Sequence, residues 1–450
     1  MQVATVVRNG KVVHPSGVVE GGWIGIDNEK IVAQGSGECP LESGRVIDAG
    51  GHYVIPGVID PHVHMDWPVH SFEDGCRATS NAVASGITSV IHFMLEAGKL
   101  VDGIETHKAV FEKNAFIDGT FHAAIFTMDQ VKEIPRAAEA GVTSFKFFVP
   151  YRGAEAVHGF QGIDDGILFL GMREIGRLSP RAIAMFHCEN IEIFFKLKEE
   201  FLETGRGDEV HWHDTRPNYN EAESMYRIIN FAKETDPTCY VVHMTIREGV
   251  NITKYAWEIG IRMHAETCPQ YLTRTRFNVD RILGKVNPPL RAEEDNDRLW
   301  EGIREGVVTH IGSDHAPCRK EHKEEFWSAT VGMPGVDTLL PVILSEGVNK
   351  GRISWPKLVE ICSANTAKVF GLTNKGLLST GFDADLVIVD ANKEVTVTAD
   401  MFQGLSDFTP YEGMTLKGWP TLTMVRGEVV FENGKVVGKP GTGKFLKRSC

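Results

Sequence analysis

The sequence predicts an α/β protein: a (β/α)8 TIM-like barrel with a small β-sandwich domain built from both termini. Three observations predict it. Between residues 53 and 376, eight short apolar segments alternate with longer stretches of helical spacing, the rhythm of parallel strands joined by helices. The ends, 1–52 and 377–450, share another texture, β-branched runs broken by Asn-Gly turns. Histidines, a lysine and an aspartate recur at the C-terminal ends of the predicted strands, the face on which such barrels carry their chemistry.

At the N-terminus, Val3-Ala4-Thr5-Val6-Val7, Asn9-Gly10 and Val12-Val13 read as a hairpin, followed by a strand at Trp23-Ile24-Gly25-Ile26. Barrel strands are expected over 53–59, 87–93, 120–127, 144–149, 182–188, 239–245, 262–268 and 307–314, with amphipathic helices such as 221–233 and 296–305 between them. Irregular stretches near 205–220 and 319–333 are long enough to be functional loops over the same face. The tail returns to strands at 384–389, 421–425 and 428–430, with a turn at Asn433-Gly434. Gly438 to Lys444 has the glycine–lysine spacing of a phosphate loop. Phe445 stands where Ser or Thr is needed and no helix can follow, so it reads as a glycine-rich tail.

Composition narrows the function. The chain has 450 residues, 42% apolar and 24% charged, with a formal net charge of −13. That acidic balance argues against a nucleic-acid partner and an anionic membrane surface. No stretch reaches the roughly 18 apolar residues of a membrane span, and the first residues lack the pattern of a signal peptide. The eight cysteines are scattered without CxxC pairs. A cytoplasmic protein with reduced thiols is expected.

The chemistry gathers at strand ends. His62-Val63-His64 follows the first strand, Lys146 lies in the fourth, His187 ends the fifth, His243 the sixth and Asp314-His315 the eighth. Two histidines at i and i+2 on extended chain face one side, and imidazole with carboxylate is the donor set of zinc-type sites. Lys146 sits in the apolar run 144–149, where a plain ammonium would be costly to bury. The other histidines read mostly as structural or surface groups, His158 among them. His92 and His264 are candidates to orient the ligands, and His315 to contact substrate or Asp314.

These residues carry a resemblance. Val54-Ile55-Pro56-Gly57-Val58-Ile59-Asp60-Pro61-His62-Val63-His64 resembles the opening signature of the amidohydrolase superfamily. Ser144-Phe145-Lys146-Phe147-Phe148, His264-Ala265-Glu266-Thr267-Cys268-Pro269, Asn287-Pro288-Pro289-Leu290-Arg291 and Gly312-Ser313-Asp314-His315-Ala316-Pro317 resemble its cyclic amidohydrolases: hydantoinases, dihydropyrimidinases, allantoinases and dihydroorotases. So does the tail, in Thr409-Pro410-Tyr411-Glu412-Gly413-Met414. The resemblance implies two Zn2+ per chain, one on His62, His64 and Asp314 and the other on His187 and His243, bridged by carbamylated Lys146. It further implies a bridging hydroxide as nucleophile, Asp314 as general base, Tyr151 as hydrogen-bond donor to the oxyanion, and a homo-oligomer, tetramer or dimer.

Within the group, the details favour a neutral ring. Dihydroorotases resemble one another in an arginine two residues after the second histidine, and Asp66 stands there, a poor neighbour for an anionic substrate. His64-Met65-Asp66-Trp67-Pro68 is similar to the hydantoinase pattern, whereas allantoinases carry an acid where this chain has Trp67. Asn287 replaces the usual serine and Pro334 an asparagine, so Asp66, Trp67, Tyr151, Asn287, His315 and Pro334 are the expected substrate contacts. Phe147 and Phe148 read as core packing. The expectation is hydantoinase- or dihydropyrimidinase-like ring opening of a cyclic ureide or imide. Alternatives are an allantoinase, another cyclic imide or lactam hydrolase, and a dipeptidase using Arg152 for the peptide carboxylate. A non-catalytic dihydropyrimidinase-related scaffold would have lost ligands, and every ligand position is filled here.

Overall fold

Two sheets organise the chain in the computed structural model, which describes residues 1–152, 162–207 and 210–450. His158 and part of the 205–220 loop lie outside the described residues. The first sheet takes strands from both ends: β1 Gln2–His14, β2 Gly17–Asp27, β3 Lys30–Ser36, β4 Glu42–Asp48 and β5 Tyr53–Pro56, then β14 Leu386–Thr396, β15 Thr415–Val425, β16 Glu428–Glu432 and β17 Lys435–Val436. Its order is β17-β16-β15-β14-β5-β1-β2-β3, with β4 beside β1. One apolar cluster, including Val7, Ile24, Ile31, Val54, Leu386 and Met424, joins the two chain ends.

The second sheet runs in chain order through β6 Val58–Val63, β7 Ile87–Met94, β8 Asp118–Ala124, β9 Ser144–Phe148, β10 Ile183–His187, β11 Thr238–Val241, β12 Met263–Thr267 and β13 Val308–Ile311. Every neighbouring pair is parallel. The ring closes beyond β13. Val63 bridges His315, whose carbonyl accepts the His64 N–H at 2.8 Å. The buried Asp60 carboxylate accepts the N–H groups of His62 and Ser313, each at 3.0 Å, so a side chain ties the first strand to the last.

Two local expectations are corrected. Residues 53–59 are two strands. β5 pairs with β1 and β14 in the terminal sheet, and only β6 enters the barrel, the chain changing sheets at Gly57. A run of apolar residues carries no mark of which sheet will accept it. Asn9-Gly10 is no hairpin: β1 runs through it with a shift in register, and the reversal comes at the residues after His14. Asn9 takes φ of 58° and absorbs an irregularity in one strand. Asn433-Gly434, with φ of 52° and 79°, does connect an antiparallel pair.

Strand parity fills the barrel. Ile91 with Phe93, Ile183 with Met185, and Tyr240 with Val242 share one interior cluster with Ile59 and with Phe370. The same alternation carries Lys146 and His187 inward. Beneath the barrel, Lys375 Nζ lies 2.5 Å from Asp118, 2.9 Å from Asp383 and 2.7 Å from Asp385, and Arg426 also pairs with Asp118. This buried cluster joins the start of β8 to the approach of β14. Lys375→Ala strands its carboxylates, and a loss of about 3–5 kcal/mol is expected, read as a lower denaturation midpoint. A loss below about 1 kcal/mol would assign the cluster no such role.

Candidate metal centre and active site

Lys146 occupies the middle of a strand buried along its length. Its Nζ lies 4.7 Å from the Phe93 ring centroid and 4.9 Å from that of Phe148, without a hydrogen-bond partner among the described residues. Burial pushes the ammonium down to about 7. A lysine so placed faces the interior and is about half deprotonated near pH 7.

The histidines converge around it from three strand ends. His62 Nδ1 is 2.6 Å from Glu266 Oε1 and its Nε2 3.0 Å from Asp314 Oδ1, while His64 Nε2 is 3.4 Å from the same oxygen. Burial opposes charge on His62, but Glu266 and Asp314 outweigh it and hold the ring up at about 9. Burial likewise opposes the Asp314 anion, yet His62 and then His64 hold the carboxyl well below its ordinary value. His187 Nε2 is 2.7 Å from Glu189, leaving Nδ1 3.1 Å from His243 Nε2. Burial keeps both of these rings neutral.

His243 and Asp314 lie just beyond their strands and take φ of 38° and 51°. Left-handed backbone is costly for residues other than glycine. Here it turns two side chains off strand parity into a common space. Ligand atoms of His62, His243 and Asp314 lie within 4.8 Å of one another. The donor set fits divalent ions. The His62 and His187 rings are each oriented by a carboxylate on the opposite nitrogen, the arrangement that sets ligating tautomers. His64 Nδ1, His243 Nδ1 and Lys146 Nζ are buried without hydrogen-bond partners among the described residues.

A pocket opens onto these groups, lined by His64, Lys146, His187, His243 and Asp314 together with Trp67, Phe148, Tyr151 and Asn287. The Tyr151 ring stands 5.2 Å from that of His187, edge to face. Burial raises the phenol far above its ordinary value, so it carries its proton. Asn287 bonds the phenol and accepts the Trp212 indole N–H at 2.7 Å.

Three expected substrate contacts fall elsewhere. Asp66 is absent from the pocket lining and faces His92, 3.8 Å away. The His315 ring accepts the Gly335 N–H at 3.1 Å, and Pro334 is buried beside it; Gly332 is the residue of that segment that reaches the lining. Phe147 packs in the outer core, stacked on Phe186, whereas Phe148 lines the pocket. Arg152 pairs at the surface with Glu192 at 2.9 Å.

Sequence reasoning missed the carboxylates. Glu266 accepts the Tyr240 hydroxyl at 2.8 Å and the His243 N–H at 3.0 Å besides holding His62. Glu189 is held in turn by Arg216, 3.3 Å away. Their only signal was position, one within and one just past a barrel strand. His264, expected near the ligands, lies at the far end of β12 against Tyr240 and His310.

Comparisons with known proteins identify the family. The amidohydrolase family model matches residues 53–430. The chain is 33% identical to an L-hydantoinase of Paenarthrobacter aurescens, covering 98% of both chains. It is 34% identical to a D-hydantoinase of Geobacillus stearothermophilus, over 98% of this chain and 96% of the other. Among solved structures, the L-hydantoinase (dihydropyrimidinase) from Arthrobacter aurescens superposes with a TM-score of 0.91 at 32% identity, covering 99% and 100% of the two chains. The dihydropyrimidinase from Brevibacillus agri gives 0.90 at 31%, covering 99% and 98%. The chain belongs to the amidohydrolase family.

Glu266→Gln keeps the shape but removes the charge that orients His62. A fall in metal affinity of about 10–100-fold is expected, measured by competition with a chromophoric chelator; unchanged affinity would deny Glu266 that role.

Proposed function

We propose that this protein is a zinc-dependent hydrolase that opens the amide bond of a neutral cyclic ureide or imide, as hydantoinases and dihydropyrimidinases do. The observation that carries the reading is Lys146, an unpartnered amine whose proton affinity burial lowers to about 7, in a pocket it shares with His64, His187, His243 and Asp314. A neutral amine adds carbon dioxide, releasing a proton and leaving an N-carboxylate, and that anion suits a place between cations. His62, His64 and Asp314 would hold one ion and His187 and His243 the other, with carbamylated Lys146 as the shared ligand. When bound, two such ions supply a hydroxide near neutral pH and stabilise charge on the substrate oxygen.

The protein groups divide the remaining work. Asp314, held ionised, takes the proton of the attacking water and passes it to the ring nitrogen as the carbon–nitrogen bond breaks. Tyr151, held protonated, donates a hydrogen bond to the developing oxyanion. Trp67 and Phe148 offer apolar faces to the ring. Among the described residues, the pocket lining holds no cation besides the site lysine for a substrate carboxylate, which favours a neutral ring over dihydroorotate. Arg152, paired with Glu192, is a poor anchor for a dipeptide. The same reading carries assembly as a homotetramer or dimer, a cytoplasmic setting, and a catalytic unit bounded near 53 and 376, with Tyr53–Pro56 lent to the terminal sheet.

The deciding experiment is a ring-opening assay on zinc-loaded protein grown with bicarbonate, using hydantoin, a 5-substituted hydantoin, dihydrouracil, allantoin, dihydroorotate and succinimide. Turnover of hydantoins or dihydrouracil is expected; exclusive turnover of dihydroorotate would overturn the neutral-ring reading. Lys146→Ala is expected to lose metal and activity together, and retention of both would refute the bridging role. Tyr151→Phe is expected to lower kcat about 10²–10³-fold, and an unchanged kcat would remove the phenol from catalysis.

A further inference from the structure

Outside the barrel wall, a second set of donors has no part in the chemistry above. Phe93 points into the barrel with the interior cluster, so its neighbour on β7, His92, points outward. There it meets His107 from the helix Leu100–Asn114 and Asp66 from the chain after β6. One ligand atom from each lies within 4.8 Å of the others, and His92 Nε2 stands 3.8 Å from Asp66 Oδ1. Both of those atoms are buried and without hydrogen-bond partners among the described residues, and the His92 side chain is wholly buried.

The surroundings orient the donors. His107 Nδ1–H donates to the Gly103 carbonyl at 2.9 Å, which leaves its Nε2 with a free lone pair. His92 Nδ1 lies 3.3 Å from the Val63 carbonyl and 3.2 Å from the Met65 N–H. The Met65 N–H makes Nδ1 an acceptor in one tautomer, with the proton on Nε2 facing Asp66; an ion at Nε2 would select the other, whose Nδ1–H donates to Val63. Phe72 packs on both rings, 4.8 Å from His92 and 4.5 Å from His107, a dry wall on one side. Zinc-type ions take nitrogen and oxygen ligands at about 2.0–2.2 Å, so tetrahedral donors stand roughly 3.3–3.5 Å apart. The 3.8 Å between His92 Nε2 and Asp66 Oδ1 is close to that, and the His107 donor, within 4.8 Å of both, must close in on them.

We propose that Asp66, His92 and His107 form a separate site for one divalent ion of zinc type, with water completing the coordination. Such an ion pairs the buried carboxylate and both rings at once, where packing alone leaves the inner atoms of Asp66 and His92 unmatched. It also clamps the segment between His64, a residue of the pocket, and Trp67, which lines its wall, so it would stiffen the pocket rim without touching substrate.

The test is metal stoichiometry. Full-length wild type and His107→Gln are saturated with Zn2+, freed of excess, counted by plasma mass spectrometry, and titrated against a chromophoric chelator. His107→Gln is expected to hold one ion fewer, or to bind that ion at least about tenfold more weakly, since loss of even a supporting group costs that much. Equal stoichiometry and affinity in the two proteins would overturn the site and leave a packed pair of neutral histidines, with His92 facing Asp66 through a proton. The comparison counts a difference between two proteins, so it stands apart from the number of ions held by the pocket. Asp66→Asn, nearly isosteric, replaces His107→Gln should the latter not fold.

Discussion

An amine without a partner, enclosed by aromatic rings inside a barrel, is the constraint around which the site is arranged. Burying Lys146 as an ammonium would cost several kcal/mol, and desolvation lowers its proton affinity instead. What makes the placement tolerable is the chemistry brought to it: four imidazoles and an aspartate from four strand ends. Three of the imidazole residues are supported from behind. Glu266 serves His62 and the His243 backbone together, Glu189 serves His187, and Arg216 neutralises Glu189. The charges are therefore paired across the barrel and not left to the solvent.

Barrel closure and site geometry rest on the same residues. Asp60 binds the backbone of His62 and of Ser313, and His315 joins His64 through its carbonyl. First and last strands are thus fastened within one or two residues of His62, His64 and Asp314. The left-handed backbone at His243 and Asp314 adds the remaining adjustment, aiming side chains that regular strand alternation would send elsewhere. Below, the Lys375 cluster fastens the barrel to the sheet shared by the chain ends, which leaves the upper rim free for loops such as that bearing Trp212.

Two neighbouring residues show how finely a strand divides its duties. Phe93 walls the interior beside Lys146, and His92 faces the helices with Asp66 and His107. Phe148 and Phe147 divide in the same way, pocket against core. A one-residue change of register would exchange these roles entirely.

Sequence by itself determined the eight-stranded barrel, the union of the chain ends in one β-domain, and the ligand candidates His62, His64, Lys146, His187, His243 and Asp314, because strand periodicity and strand-end position are local properties. It did not determine that Tyr53–Pro56 joins the other sheet, that Asn9-Gly10 lies within a strand, or that Asp66, His315 and Pro334 are absent from the pocket lining. Nor did it single out Glu266 and Glu189 among the chain's acidic residues. Those outcomes depend on which distant segment arrives opposite: β14 beside β5, Gly335 against the His315 ring, His92 beside Asp66. Partnership across the chain is a tertiary quantity, fixed by packing and by the need to satisfy each buried polar group.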